Sequence, residues 1–357
     1  MAAEQRVHGH QAAGDAPTLD AKVSFLSRPE TYRPVPAAVA CRETHMSWVF
    51  LAGDRVYKLK KPVRFPYLDF STLARRERAC RAELALNRRL APQVYRDVVP
   101  LVQSHGRLSL GGEGTVVDWL VCMERLDERF MLDRLIADGR LTAAQVARLV
   151  DALARFYRMA EPTLIAPTVY RAELLRSLDY NRRVLLDGRF SLPSGLVWRI
   201  DHAQRRFLRQ CSGLIDARFR HRRVVDGHGD LRPEHICLDD DVRIIDCLEF
   251  NARLRVVDPF DEVAFLSLEC ERLGAAWAGE LLRRRLMREL RDGPTDLLFT
   301  FYHCYRATLR ARLAIAHLYE PHPRTPEKWP RVAREYLALA ARSARKLEAF
   351  LKTPSSR

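Results

Sequence analysis

Residues 228–250 read HGDLRPEHICLDDDVRIIDCLEF. Two short apolar runs, HICL at 235–238 and VRIID at 242–246, flank the polar turn DDD at 239–241, which predicts a hairpin. The loop before the first strand and the residues after the second then lie at the same end, which brings Asp230, His235 and Asp246 together. A carboxylate that orients or deprotonates an attacking hydroxyl, with two further groups to hold a metal on the phosphates, is the minimum that in-line phosphoryl transfer requires.

Lysine usage singles out a second stretch. Of 60 Lys and Arg residues only seven are Lys, and three of these are Lys58, Lys60 and Lys61 in YKLKK. A position that keeps Lys in so Arg-rich a chain points to a need for a compact ammonium. SWVFLAGDRVYKLKKPV (47–63) reads as two strands around a turn at Gly53 and Asp54, and period-two alternation puts Val56, Lys58 and Lys60 on one face. The following stretch, 71–90, has helical periodicity, with Leu73, Cys80, Leu84, Leu86 and Leu90 in one arc. Glu83 sits in the middle of that arc. A carboxylate buried there needs a cation, and the strand lysines are the nearest candidates; the alternative is a side chain that reaches solvent from the edge of a wide stripe.

The chain reads as a β-rich half followed by a helical half. Residues 1–20 are small, polar and aperiodic and predict a disordered tail. Strand signals continue over 98–126, so that 21–126 forms a sheet with one helix. Beyond it, LTAAQVARLVDALARFYRMAE (141–161) opens with Thr142 and Gln145 in capping-box spacing, and helices are expected near 170–186, 197–219, 259–291, 294–318 and 328–351. The helical half covers 127–352, broken only by the 228–250 stretch.

HGDLRPEH resembles the protein-kinase catalytic loop H-R-D-L-K-P-E-N. HGDL followed by a hairpin and I-D is similar to the aminoglycoside and choline phosphotransferases of the same superfamily. ETHMSWVFL, LDFSTL, LNRRLAP and IIDCLEFN further resemble a little-characterised bacterial branch of aminoglycoside-phosphotransferase-like proteins, some of which carry an added P-loop ATPase domain; the sequence contains no G-x-x-x-x-G-K-[ST], and the kinase-like part alone is expected here. The resemblance implies an α+β, bilobal protein kinase-like fold, with a β-rich N-lobe and a mainly helical C-lobe that shapes the acceptor pocket.

It also implies roles. Asp230 becomes the catalytic base and Arg232 stands where protein kinases place a phosphate-neutralising Lys. Asp246 and His235 become the metal ligands. Lys58 is assigned the phosphates and Glu83 is its partner; Lys60 remains an alternative, and Lys58 is preferred because Val56 then lies over the adenine. Met123, Glu124 and Leu126 form the hinge that hydrogen-bonds adenine. His228 braces the loop, and Asp261 matches a helix-start aspartate with a structural or catalytic role. The cofactors implied are ATP and Mg²⁺. His235 replaces the usual Asn, and imidazole suits Mn²⁺ better than hard Mg²⁺. The expected activity is therefore phosphoryl transfer from ATP to a hydroxyl of a small molecule. A nucleotide-binding pseudokinase with a regulatory role stays open because of His235. A metallohydrolase built on His228, Asp230, His235 and Asp246 explains neither the lysine strand nor the order of the two halves.

Bulk properties narrow the partners. The formal net charge is +15, but arginines are spread along the chain instead of forming one basic arm, which argues against nucleic acid. No apolar run approaches the roughly 20 residues of a membrane helix, the first residues show no signal-peptide core, and a cytoplasmic, membrane-independent protein is expected. Eight scattered cysteines read as reduced core thiols. Only about a dozen residues separate Asp246 from the helix near Phe260, too few for the peptide platform of a protein kinase, so a small-molecule acceptor is expected. A polycationic acceptor would need acidic lining, for which Asp261, Glu262 and Glu269 are available; basic walls would suit an anionic one.

Overall fold

The computed structural model describes residues 16–65, 67–320, 323 and 325–352. Two units of different composition emerge: one comprises Met1–Arg88 and Pro92–Arg125, the other Arg89–Ala91 and Leu126–Arg357. Most of the expected N-terminal tail lies outside the described residues. Within it, a helix already begins at Leu19, capped by the Thr18 side chain, which accepts from the Ala21 amide.

The first unit runs α1 (Leu19–Leu26), β1 (Val39–Glu43), β2 (Ser47–Ala52), β3 (Arg55–Lys60), β4 (Arg64–Phe65), β5 (Leu68–Asp69), α2 (Leu73–Asn87), β6 (Tyr95–Ser104), β7 (Arg107–Leu110) and β8 (Thr115–Glu124). Six strands pair antiparallel in the order β1-β2-β3-β8-β6-β7. Gly53, at φ +63°, takes the left-handed conformation that lets β2 turn into β3. The alternation of β3 then divides its residues: Leu59 enters a core with Leu26, Phe50, Leu101 and Leu120, while Lys58 and Lys60 meet α2 on the other face. Two buried cations fix both helices to the sheet, because Asp118 of β8 bonds Lys22 of α1 at 2.8 Å and Arg76 of α2 at 2.7 Å.

The second unit contains α3 (Leu132–Ala137), α4 (Ala143–Met159), α5 (Pro167–Leu185), α6 (Ser194–Arg220), β9 (Val225–Asp226), β10 (Ile236–Leu238), β11 (Val242–Ile244), β12 (Val256–Val257), α7 (Pro259–Arg272), α8 (Ala276–Leu290), α9 (Asp296–Ala316) and α10 (Lys328–Lys352). The capping box at Thr142 and Gln145 forms as expected. The helical stretch at 259–291 is two helices, broken at Gly274, whose φ of +94° ends α7. α9 packs on α10 and α7, and the Phe207 and Phe301 rings stack at 4.2 Å in the middle of the bundle. Ile236, Ile244 and Leu231 belong to the same core. That anchorage immobilises the β10–β11 hairpin and the loop before it. None of the eight cysteines is in a disulfide, and six are buried. No helix among the described residues is long and apolar enough to cross a membrane.

Candidate active site

In the first unit Glu83 lies at the meeting point of α2 and β3. Lys58 Nζ donates to Oε1 at 2.9 Å and Lys60 Nζ to Oε2 at 2.6 Å. The two lysines differ in setting. The Lys60 side chain is 1% exposed, as is that of Glu83, and its ammonium also lies 4.9 Å from the centre of the Phe70 ring; the Lys58 side chain is 16% exposed. The alternation that puts both lysines on one face thus gives one carboxylate two partners, a buried one and one that reaches towards solvent. Val56, two residues before Lys58, is paired in register with Met123 of β8. Glu124 ends that strand with its carboxylate on Arg55 at 2.6 Å and on Arg96. Leu126 opens the second unit.

In the second unit the loop 228–235 and the residue after β11 converge. β10 and β11 pair antiparallel, with Ile236 opposite Ile244, and this returns Asp246 to His235. Asp246 Oδ2 lies 3.6 Å from His235 Nε2, and His235 Nδ1 lies 3.7 Å from Asp230 Oδ2. The three residues stand together as the hairpin requires. Asp246 holds a φ of +64°, a left-handed conformation that Asp tolerates better than most residues and that backbones often retain at functional sites.

Hydrogen bonding fixes the His235 tautomer. Arg232 Nη2 lies 3.1 Å from Nε2 and a guanidinium can only donate, so Nε2 accepts and the ring proton sits on Nδ1, which donates to the Asp230 carbonyl at 2.9 Å. A backbone carbonyl on one nitrogen and a lone pair on the other is the arrangement of a metal-ligating histidine. With the Asp246 carboxylate 3.6 Å from Nε2, the pair has the donor types and proximity to hold one divalent cation once Arg232 Nη2 withdraws from that lone pair. Among the described residues no third His, Cys, Asp or Glu completes a protein-only metal cluster, so further ligands would come from water or phosphate.

Asp230 is 24% exposed and its Oδ1 lies 3.0 Å from Arg232 Nε. Burial alone would push its pKa up, but the charges around it, the Arg232 guanidinium foremost, overcome that and hold it below the ordinary carboxylate range. Asp230 is therefore ionised at neutral pH. Arg232 also pairs with Glu234. It binds both Asp230 and His235 and is the busiest cation of the loop.

His228 braces the loop with both nitrogens. Nε2 donates to the Ile245 carbonyl at 2.9 Å and Nδ1 accepts from the Asp230 amide at 3.2 Å. It thereby links the backbone just before Asp246 to Asp230. Burial pushes its pKa down to about 4. Gly229 turns the loop at φ +88°, and a Cβ there would lie 3.0 Å from Leu248 Cδ1.

The α7 carboxylates are structural, which removes the acidic acceptor lining that the sequence offered. The cap of α7 is Asp258, not Asp261; Asp258 accepts from the Phe260 amide and pairs with Arg218 at 2.6 Å. Asp261 is gripped by Arg306 at 2.8 and 2.7 Å. Glu262 accepts from the His228 amide at 3.0 Å, the Gly229 amide and the Tyr157 hydroxyl at 2.8 Å, and so holds the loop from below. Glu262 and Arg89 are supports that the sequence reading missed. Arg89 reaches the Asp226 carboxylate at 3.0 Å, the Gly227 carbonyl at 2.9 Å and the Cys247 sulfur. Its place in LNRRLAP was the available signal.

No protein-family model matches the chain. Uncharacterised proteins of Mycobacterium tuberculosis and Mycobacterium bovis are 32% identical to it over 312 residues, 87% of this chain and 60% of theirs. The chain thus spans about 60% of the length of the curated relatives it matches. Among solved structures, a choline kinase from Cryptosporidium parvum is similar with a TM-score of 0.56 at 8% identity, over 93% of this chain and 96% of that one. A thermostable mutant of an aminoglycoside phosphotransferase gives 0.52 at 13% identity, over 92% and 99%. A choline/ethanolamine kinase family protein from Mesorhizobium loti gives 0.50 at 17%, over 93% and 95%. The chain has their protein kinase-like fold.

Proposed function

We propose, from the premise of a protein kinase-like fold, that the chain is an ATP-dependent phosphotransferase acting on a hydroxyl of a small molecule. The observation that carries this reading is the convergence of Asp230, His235 and Asp246 at one end of the β10–β11 hairpin. Asp230, with Oδ1 held by Arg232, offers Oδ2 to the acceptor hydroxyl. As the hydroxyl oxygen bonds to the terminal phosphorus and the bond to the departing diphosphate breaks, the hydroxyl proton passes to Asp230. Asp246 and the Nε2 lone pair of His235 would hold Mg²⁺ or Mn²⁺, which when bound neutralises phosphate charge.

The Glu83 geometry supports Lys58 as the phosphate-contacting lysine. Lys58 is the more exposed of the pair, and when it turns to a phosphate Glu83 keeps Lys60. Glu83 is then never left buried without a cation. Val56 and Met123, adjacent across β3 and β8, support an adenine site continued by Glu124 of the same strand.

One observation favours a second reading. Arg232 occupies both the proposed base and the proposed metal ligand, as it would in a nucleotide-binding pseudokinase. Thermal-shift titration with ATP plus Mg²⁺ or Mn²⁺, followed by an ATP-turnover assay, tests both. Stabilisation with turnover that disappears in Asp230→Asn supports the enzyme, stabilisation without turnover supports the pseudokinase, and no stabilisation by any nucleotide and metal pair removes both.

A further inference from the structure

The phosphotransferase reading leaves its acceptor unnamed, and the surroundings of Glu269 constrain it. A cationic acceptor needs carboxylate oxygens, yet those of α7 are engaged. Asp261 is spent on Arg306, Glu262 on the catalytic loop and Tyr157, and Glu269 accepts from Tyr336 at 2.7 Å, Arg310 Nε at 3.0 Å and Arg272 Nε at 3.0 Å. What these contacts leave available is the far edge of two arginines. Arg272 and Arg310 both reach Glu269 through Nε, and among the described residues their terminal Nη groups donate no hydrogen bond. Their side chains are 27% and 21% exposed, and both guanidinium groups lie 5.4 Å from the centre of the Tyr336 ring. Glu269, which holds both forks, belongs to α7, and α7 packs against the turn 233–235 that follows Asp230.

We propose that Arg272 and Arg310 form an oxyanion subsite for the acceptor, whose substrate class is a hydroxyl compound bearing a carboxylate or a phosphate. The proposal rests on the phosphotransferase reading and names its acceptor. Guanidinium forks match the paired oxygens of both groups, and ammonium acceptors meet like charge there. Glu269 and the Tyr336 ring fix both forks in advance, so little side-chain freedom is lost on binding. Glu269 cancels one of the two positive charges and leaves one for the ligand.

The test is thermal-shift titration of the whole protein, saturated with ADP and Mg²⁺ so that the nucleotide site is filled, at matched ionic strength. The probes are gluconate, glucose 6-phosphate, choline and kanamycin. Gluconate or glucose 6-phosphate is expected to stabilise, and their relative strength separates a carboxylate from a phosphate ligand; choline and kanamycin are expected not to. Arg310→Gln and Arg272→Gln should each weaken the anion effect about tenfold or more, with Arg310→Lys intermediate because charge survives without the fork. Arg272→Gln leaves Arg310 and Tyr336 on Glu269 and keeps the test valid if the Arg310 variants fold poorly. The proposal is overturned if neither anion stabilises, if the variants leave the anion effect unchanged, or if choline or kanamycin stabilises instead. The ADP shift itself, measured first, reports on the nucleotide site; its presence with no anion effect sinks this proposal alone.

Discussion

Lys60 and Glu83 meet at 2.6 Å with both side chains 1% exposed, while Lys58 holds the other oxygen of the same carboxylate from a more open position. Removing one partner of a buried pair leaves a charge with inadequate compensation. Lys60→Met is therefore expected to destabilise the protein by about 3 kcal/mol, against about 1 kcal/mol for Lys58→Met, where the buried pair survives. Urea denaturation measures both. ATP-dependent stabilisation should show the opposite order, lost in Lys58→Met and retained in whatever fraction of Lys60→Met folds.

His228 gives the loop a built-in acid sensitivity. Its folded pKa is depressed from 6.5 to about 4 by burial, so below pH 6.5 the unfolded chain takes up a proton that the folded chain refuses. Stability contributed by the neutral ring is full above pH 6.5 and falls as pH drops towards 4, by about 3 kcal/mol across the window. Melting temperatures from pH 4.5 to 8 should show this slope, and His228→Gln should flatten it while lowering stability at pH 8, since the ring also joins Ile245 to Asp230.

Arg232 sets the protonation of the proposed base. Burial raises the pKa of Asp230 and Arg232 is the largest influence opposing it. In Arg232→Gln the burial remains and the main compensating charge is gone, so the acid limb of kcat/KM for phosphoryl transfer should move to higher pH than in the parent. An unshifted limb would mean that Asp230 is not the group the profile reports.

The features legible in sequence are those set by local pattern. Period-two alternation places Lys58 and Lys60 on one face, helical phase places Glu83 on the arc that faces them, and a polar turn between two apolar runs brings Asp246 back to His235. Each depends on a few neighbouring residues. The roles of the α7 carboxylates are not legible, for the opposite reason. Asp261, Glu262 and Glu269 look like exposed acidic lining until Arg306, Arg310, Tyr336 and Tyr157 arrive from other helices, and no local pattern announces partners so distant in sequence. The first helix was missed because an eight-residue segment carries too little periodicity to stand out from a polar tail.

The remaining prediction concerns the metal. His235 presents an Nε2 lone pair 3.6 Å from Asp246 Oδ2, and its Nδ1 proton is fixed by the Asp230 carbonyl. An imidazole in a ligand position favours Mn²⁺ over Mg²⁺, because Mg²⁺ prefers hard oxygen donors. The wild-type protein is therefore expected to show ATP-dependent stabilisation at lower Mn²⁺ than Mg²⁺ concentrations. His235→Asn supplies an amide oxygen and should narrow or reverse that order, most visibly by strengthening the response to Mg²⁺. Asp246→Asn, which keeps a side chain that tolerates the left-handed backbone, should weaken both metals together. If His235→Asn leaves the ratio of the two metal responses unchanged while Asp246→Asn abolishes both, Asp246 binds the metal without His235, and the histidine serves only to position Asp230.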